Sequence, residues 1–167
     1  MRATRLLAAV SAAAAVLACG GAGADDMGVQ EPPPADTTCP IPVAVSHPTF
    51  RGDILPLLRL TCGANSAISC HGAPSPRGHV SYAASLGASE VHAQLLAAPA
   101  NAPPGTEWRR IAPGDPARSW LLEKVTQDDP GGAGQAYGNR MPLGLPNLCA
   151  PTVETIRSWI AAGAKDD

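Results

Sequence analysis

Aromatic residues are scarce in this chain: three Trp, two Tyr and one Phe make up 4% of 167 residues. A core built from protein alone then has few large side chains to draw on, so crosslinks or a bound group are expected to help hold it. Neither sign of charge dominates, since 12 basic against 14 acidic residues leave a formal net charge of −2. That balance provides no electrostatic footprint for nucleic acid, which is not an expected partner. Strand-like alternation and internal repeats are both missing, which leaves helices as the periodic elements. Long apolar runs are missing too. Leu6 to Ala18 is the one apolar stretch of note, and it is too short to span a bilayer.

What the chain has in quantity is glycine and proline, 17 and 18 respectively, which predicts long loops. Its first residues point to a compartment. Arg2 and Arg5 precede the apolar run, and Val16-Leu17-Ala18-Cys19 resembles a bacterial lipobox, in which cleavage precedes the Cys and that Cys is lipidated. Residues 1–18 are therefore expected to be a lipoprotein signal peptide, 19–46 a lipidated, flexible tether, and 47–167 the folded domain. Gly20 to Thr38 reads as tether because it mixes glycines, acids and Pro32-Pro33-Pro34 with almost no periodic hydrophobicity. The expected location is the cell envelope, facing the periplasm or the exterior, with the membrane itself as a partner.

Four helices are expected, joined by Pro/Gly-rich loops, so the fold class is all-α. Phe50, Ile54, Leu57 and Leu58 keep helical spacing within Thr49 to Leu60, and Pro56 suits a helix that starts at Asp53. Ser89 is expected to cap a helix from Glu90 to Leu96, with Val91 and Leu95 inward. Asp115-Pro116 reads as a helix start, followed by an apolar face of Trp120, Leu121 and Val125. Thr152 is expected to cap a last helix running to Ala162, with Val153, Ile156, Trp159 and Ile160 inward and Gly163 ending it. Asp166 and Asp167 read as a solvated tail.

With Cys19 assigned to lipid, Cys39, Cys62, Cys70 and Cys149 remain. In an oxidising compartment an even set is expected to be crosslinked or bound to a cofactor, and four thiols allow three pairings. Thr61 to Gly72 holds two of them in the arrangement Cys62-x7-Cys70-His71. A Cys-His pair with a Cys upstream suggests haem attachment, although the usual spacing is C-x-x-C-H and Ala67 stands where the first Cys of that compact motif belongs. Met141, in Gly138-Asn139-Arg140-Met141-Pro142-Leu143-Gly144, is a candidate second ligand, because a thioether opposite a histidine suits an electron-transfer iron. His47, His79 and His92 are the other candidates for that position. A zinc site at Cys62, Cys70 and His71 is disfavoured by the spacing.

The order of motifs resembles a family. Phe50-x-x-Asp53-Ile54-Leu55-Pro56, Cys62 with Cys70-His71-Gly72, Ala112-Pro113-Gly114-Asp115-Pro116 with Ser119-Trp120-Leu121, Arg140-Met141-Pro142-Leu143-Gly144, and Ile156-Arg157-x-Trp159-Ile160-x-x-Gly163-Ala164 together resemble the cytochrome c-like domains of secreted bacterial lipoproteins. The resemblance implies a small cytochrome c-like helical domain with one covalent haem c. Cys62 and Cys70 would form the thioethers, and His71 and Met141 would be the iron ligands. Ile54, Leu58, Leu121, Trp159 and Ile160 would line the pocket. It implies a single-electron carrier with periplasmic or membrane redox proteins as partners and no open iron position for catalysis. If Cys62 and Cys70 serve haem, Cys39 and Cys149 are left to pair. The alternative is a haemless, disulfide-stapled interaction or structural lipoprotein in which Cys62 and Cys70 are bonded.

Overall fold

A computed structural model describes residues 39–63, 71–72, 79–97 and 101–167. The expected signal peptide, Cys19, the expected tether as far as Thr38, and Cys70 with the loop before it lie outside the described residues. Those residues form a small all-α arrangement. No strand occurs among them, and the one β-type contact is an isolated parallel bridge between Arg109 and Ser119.

Helix formation begins at Phe50, earlier than Asp53, because Thr49 caps it. Thr49 Oγ1 accepts from the Gly52 N–H at 3.2 Å, while the Asp53 carboxylate accepts from Thr49 N–H at 2.8 Å and from its hydroxyl at 3.0 Å. Gly52 leaves room for this cap, since a Cβ there would lie 2.7 Å from Thr49 Oγ1. Phe50–Ile54 is a wide π-type turn, in which Leu55 N–H bonds to Phe50 O, and it leads into helix α1, Leu55–Thr61. Pro56 explains the widening. It lacks an N–H and its ring would crowd the carbonyl four residues back in a regular helix.

Helix α2, Ala88–Ala97, starts before the expected cap. Its reciprocal bond is Gly87 N–H to the Glu90 carboxylate at 2.6 Å, which leaves the Ser89 hydroxyl to accept from the Arg51 guanidinium at 2.9 Å. Asp115 does cap a turn, accepting from Arg118 N–H at 3.2 Å, but Pro116–Arg118 is a single 3-10 turn. The chain is extended at Ser119 before helix α3, Trp120–Thr126. Ser119 is fully buried and fixes this break: its hydroxyl accepts from Ala112 N–H at 2.9 Å and donates to Asp115 O at 2.9 Å. The break turns α3 so that Trp120, Leu122 and Val125 face inward and Leu121 is only half-buried.

Helix α4, Ala150–Ala161, begins with Cys149 as its N-cap, so Thr152 lies inside the helix and is fully buried. Its C-terminus closes as expected at Gly163, where φ is +100° and Ala164 N–H returns to Trp159 O at 2.9 Å. The last residues are not a free tail. Asp167 accepts from the N–H of Phe50 through its carboxylate and from the N–H of Arg51 through its main-chain oxygen, both at 2.9 Å, and Asp166 pairs with Arg51 at 3.1 Å. Acidic groups are favourable at a helix N-terminus, where N–H groups lack partners.

The core gathers these elements around Trp159 and Phe50, whose rings stack with centroids 5.4 Å apart. Ile54, Leu58, Ile156 and Ile160 are buried in the same cluster. Few aromatics are needed because the two largest fully buried side chains stack at its centre, with the His92 ring meeting Phe50 edge-on at 5.0 Å.

Candidate functional site

Two cysteine-bearing regions were expected to carry the chemistry, and they differ. At the first, Cys39 and Cys149 form a disulfide with Cα atoms 5.8 Å apart, across 110 residues of sequence. The chain following Cys39 lies along α4. Ile41 N–H donates to Thr152 Oγ1 at 3.3 Å and Val45 N–H donates to Thr155 Oγ1 at 3.0 Å. These two threonines occupy adjacent positions one turn apart on the buried face, so a polar spine runs where the helical pattern predicts hydrophobes. Thr155 also donates to Pro151 O at 2.9 Å. Thr152 Oγ1 further lies 3.0 Å from the Cys149 sulfur.

At the second, Cys62 follows α1 and is not in a disulfide. Its sulfur lies 3.3 Å from the Thr61 hydroxyl, and burial pushes the thiol up from the ordinary range, only partly offset by that contact. A thiol held neutral in this way is a poor nucleophile and a poor ligand. His71 Nδ1 lies 3.1 Å from Val80 O, and its ring tilts against Tyr82 at 5.4 Å. Tyr82 is buried, and burial first, then the neighbouring Cys62, raise its phenol, while Arg110 opposes them.

Met141 is held by contacts of its own. Its N–H donates to Lys124 O at 2.7 Å, which ties its loop to the end of α3, and its side chain packs partly buried against the hydrophobic core. The Lys124 ammonium donates to Tyr137 O at 3.1 Å and lies 5.7 Å from the centre of the Trp120 ring; burial lowers its pKa. Among the other candidate ligands, His47 and His79 are exposed, and His92 Nε2 is 2.7 Å from Ala164 O.

The expectation of a cytochrome c-like haem protein is therefore corrected. Among the described residues no group of three or more His, Cys, Asp or Glu side chains is placed to hold a metal ion. The proposed pocket residues Ile54, Leu58, Trp159 and Ile160 are instead buried against one another and against Phe50 in one protein core, and Leu121 stands at its margin. Two of the four thiols are consumed by the Cys39–Cys149 bridge, and Cys62 is half-buried against the core. The assignments of covalent haem c, an iron centre at His71 and Met141, and electron transfer fall together, and the expected redox partners rested on them. No family model, curated protein or solved structure matches the chain.

Two features escaped the sequence reading. Arg110 is buried, donates through Nη1 to Gln94 O, and shares its surroundings with Tyr82. Nothing in Arg109-Arg110 distinguishes the buried arginine from the exposed one. An open groove of about 580 Å³ runs between Trp108 and the Asp115–Arg118 turn. Its acids are already engaged, since Arg118 pairs with both Glu107 and Asp115.

Proposed function

We propose that this protein is a lipid-anchored module of the cell envelope, stapled by a disulfide, with a structural or binding role and no catalytic reaction of its own. The observation that carries the reading is the Cys39–Cys149 bridge. Such bonds persist in oxidising compartments, and this one fastens the chain next to the proposed tether onto the last helix. The lipobox-like Val16-Leu17-Ala18-Cys19 supports the anchor, and no described helix is long and apolar enough to cross a membrane. In this role the bridge lets pull or agitation at the tether reach α4 directly, without first peeling residues 39–45 from the domain.

Mass spectrometry of the exported protein tests this. Non-reducing digestion is expected to yield a peptide pair joined through Cys39 and Cys149, and the N-terminal peptide is expected to begin at a diacylated or triacylated Cys19. Reduced Cys39 and Cys149 in the native envelope, or an unlipidated Cys19, would remove the reading.

A further inference from the structure

We infer that the disulfide end of the domain is a membrane-contact face, resting on the bilayer that holds the proposed Cys19 anchor. The inference rests on that proposed anchor. Two stretches meet at the bridge, 39–50 and 141–153, and neither contains an Asp, Glu, Lys or Arg. Every helix elsewhere carries charge: Arg59 on α1, Glu90 on α2, Glu123 and Lys124 on α3, and Glu154 and Arg157 on the later turns of α4. An uncharged surface loses little on leaving water for a headgroup region, whereas a charged one loses much.

The same stretches carry exposed hydrophobes. Four large apolar side chains are exposed among the described residues, and three of them are Val43 at 75%, Leu143 at 39% and Leu145 at 39%. Val43 is held outward by a fixed backbone, because Ile41 and Val45 on either side of it are bonded to Thr152 and Thr155. Leu145 sits in a turn closed by its N–H on Pro142 O at 3.4 Å. All three lie within six residues of a bridged cysteine, a reach of at most about 20 Å of extended chain. Exposed apolar side chains on stretches without charged residues suit the boundary between headgroups and acyl chains.

The length of chain before the domain selects the bilayer as occupant. Cys39 is twenty residues after Cys19 (39 − 19 = 20). Twenty residues reach no further than about 70 Å even when fully extended, so the anchor would keep this end of the domain within that distance of the membrane. Contacts too weak to form from solution become populated when one partner is tethered at such range.

The test uses the full-length lipidated protein in phosphatidylethanolamine/phosphatidylglycerol vesicles containing a lipid with a diazirine near the glycerol end of one acyl chain. After flotation and irradiation, the label is expected on the peptides containing Val43 and Leu143–Leu145 and not on α2. The combined variant Val43→Ser, Leu143→Ser, Leu145→Ser is expected to float equally well and to lose that label to the level of α2. Should the variant misfold, the labelling pattern of the unaltered protein still decides. Label spread evenly, or concentrated elsewhere, would overturn the face and leave the anchor standing. Failure to float would overturn the anchor and the face with it. An oligomer of the lipidated protein in lipid-free detergent that the combined variant disperses would assign the surface to self-association instead and overturn the inference.

Discussion

The two cysteine-bearing ends of this domain work in opposite ways. At the Cys39–Cys149 end a sulfur meets a partner 110 residues away because the intervening fold delivers it, and two threonine hydroxyls hold the incoming chain in register. At the Cys62 end the sulfur is kept by its immediate neighbours, Thr61 beside it and Tyr82 nearby, as a half-buried thiol. The first end derives its stability from topology and the second from local packing. A cysteine's role is thus set less by the motif around it than by what the fold carries to its sulfur.

The largest effect should come from opening the bridge. Cys39→Ser together with Cys149→Ser is expected to lower unfolding free energy by up to about 4–5 kcal/mol, the chain-entropy value for a loop of this length. Urea denaturation of the oxidised protein against the double variant measures it. A loss below about 1 kcal/mol, far under that value, would mean that residues 39–45 hold to α4 without the bond. The contrast between the two ends would then collapse.

Trp159→Ala comes next. It removes the ring that stacks on Phe50 and the indole N–H that donates to Lys165 O at 3.0 Å. A loss of about 3–5 kcal/mol is expected from cavity formation. Because Cys62 packs against this core, its alkylation should also accelerate, while the Cys39–Cys149 bond stays intact in a non-reducing peptide map. Acceleration at one end without change at the other sharpens the comparison; no acceleration would mean that Cys62 is not protected by the core.

Thr152→Val is a smaller change of similar shape. It strips the partner from Ile41 N–H at a fully buried position, so a loss of about 1–3 kcal/mol is expected. Thr152→Ser, which keeps the hydroxyl, should recover most of it. Equal stability of the Val variant would show that the disulfide and the Val45–Thr155 bond hold the segment without Thr152.

These residues also mark how far the sequence could be read. The all-α class, the turn at Asp115, and the terminal helix with its stop at Gly163 follow from local rules: a capping side chain, a proline near a first turn, a glycine with positive φ. Thr152 looks like a cap by the same rules and is instead a buried interior residue, because Cys149 takes the N-cap position. The signal was present in the helical phase, which places Thr152 and Thr155 on the face shared with Ile156 and Trp159. Leu121 and Leu122 exchanged roles because Ser119 breaks the helix and resets its phase, and that depends on hydrogen bonds to Ala112 and Asp115. The haem reading failed for a further reason. Motif order along a chain says nothing about what each side chain meets: His71 lies against Val80 O and Tyr82, while Met141 is tied through its N–H to Lys124 O and packs on the core.

The smallest expected effect lies in the alkaline limb of stability, and it tests the Cys62 end alone. Burial raises the Cys62 thiol in the folded state. Below the pKa of the unfolded thiol both states are protonated, and the group contributes no pH dependence. Above it the unfolded chain releases its proton while the folded chain keeps it, so the unfolded state binds fewer protons and stability falls as pH rises, until the folded pKa is passed. One such group sets a slope of at most about 1.4 kcal/mol per pH unit. Tyr82, raised chiefly by its burial, adds a fall of the same sign at higher pH, whereas Lys124, lowered by burial, works in the opposite direction. Subtraction isolates the thiol: Cys62→Ala should match the unaltered protein near neutrality apart from a constant offset and lose stability less steeply above the ordinary thiol range. The bridged cysteines do not titrate, and neither do the serines that replace them, so the Cys39→Ser, Cys149→Ser double variant should keep the alkaline slope of the unaltered protein if the Cys62 end is independent of the bridge. Parallel curves for Cys62→Ala and the unaltered protein would mean that the thiol titrates normally, and that the two ends differ only in their bonding.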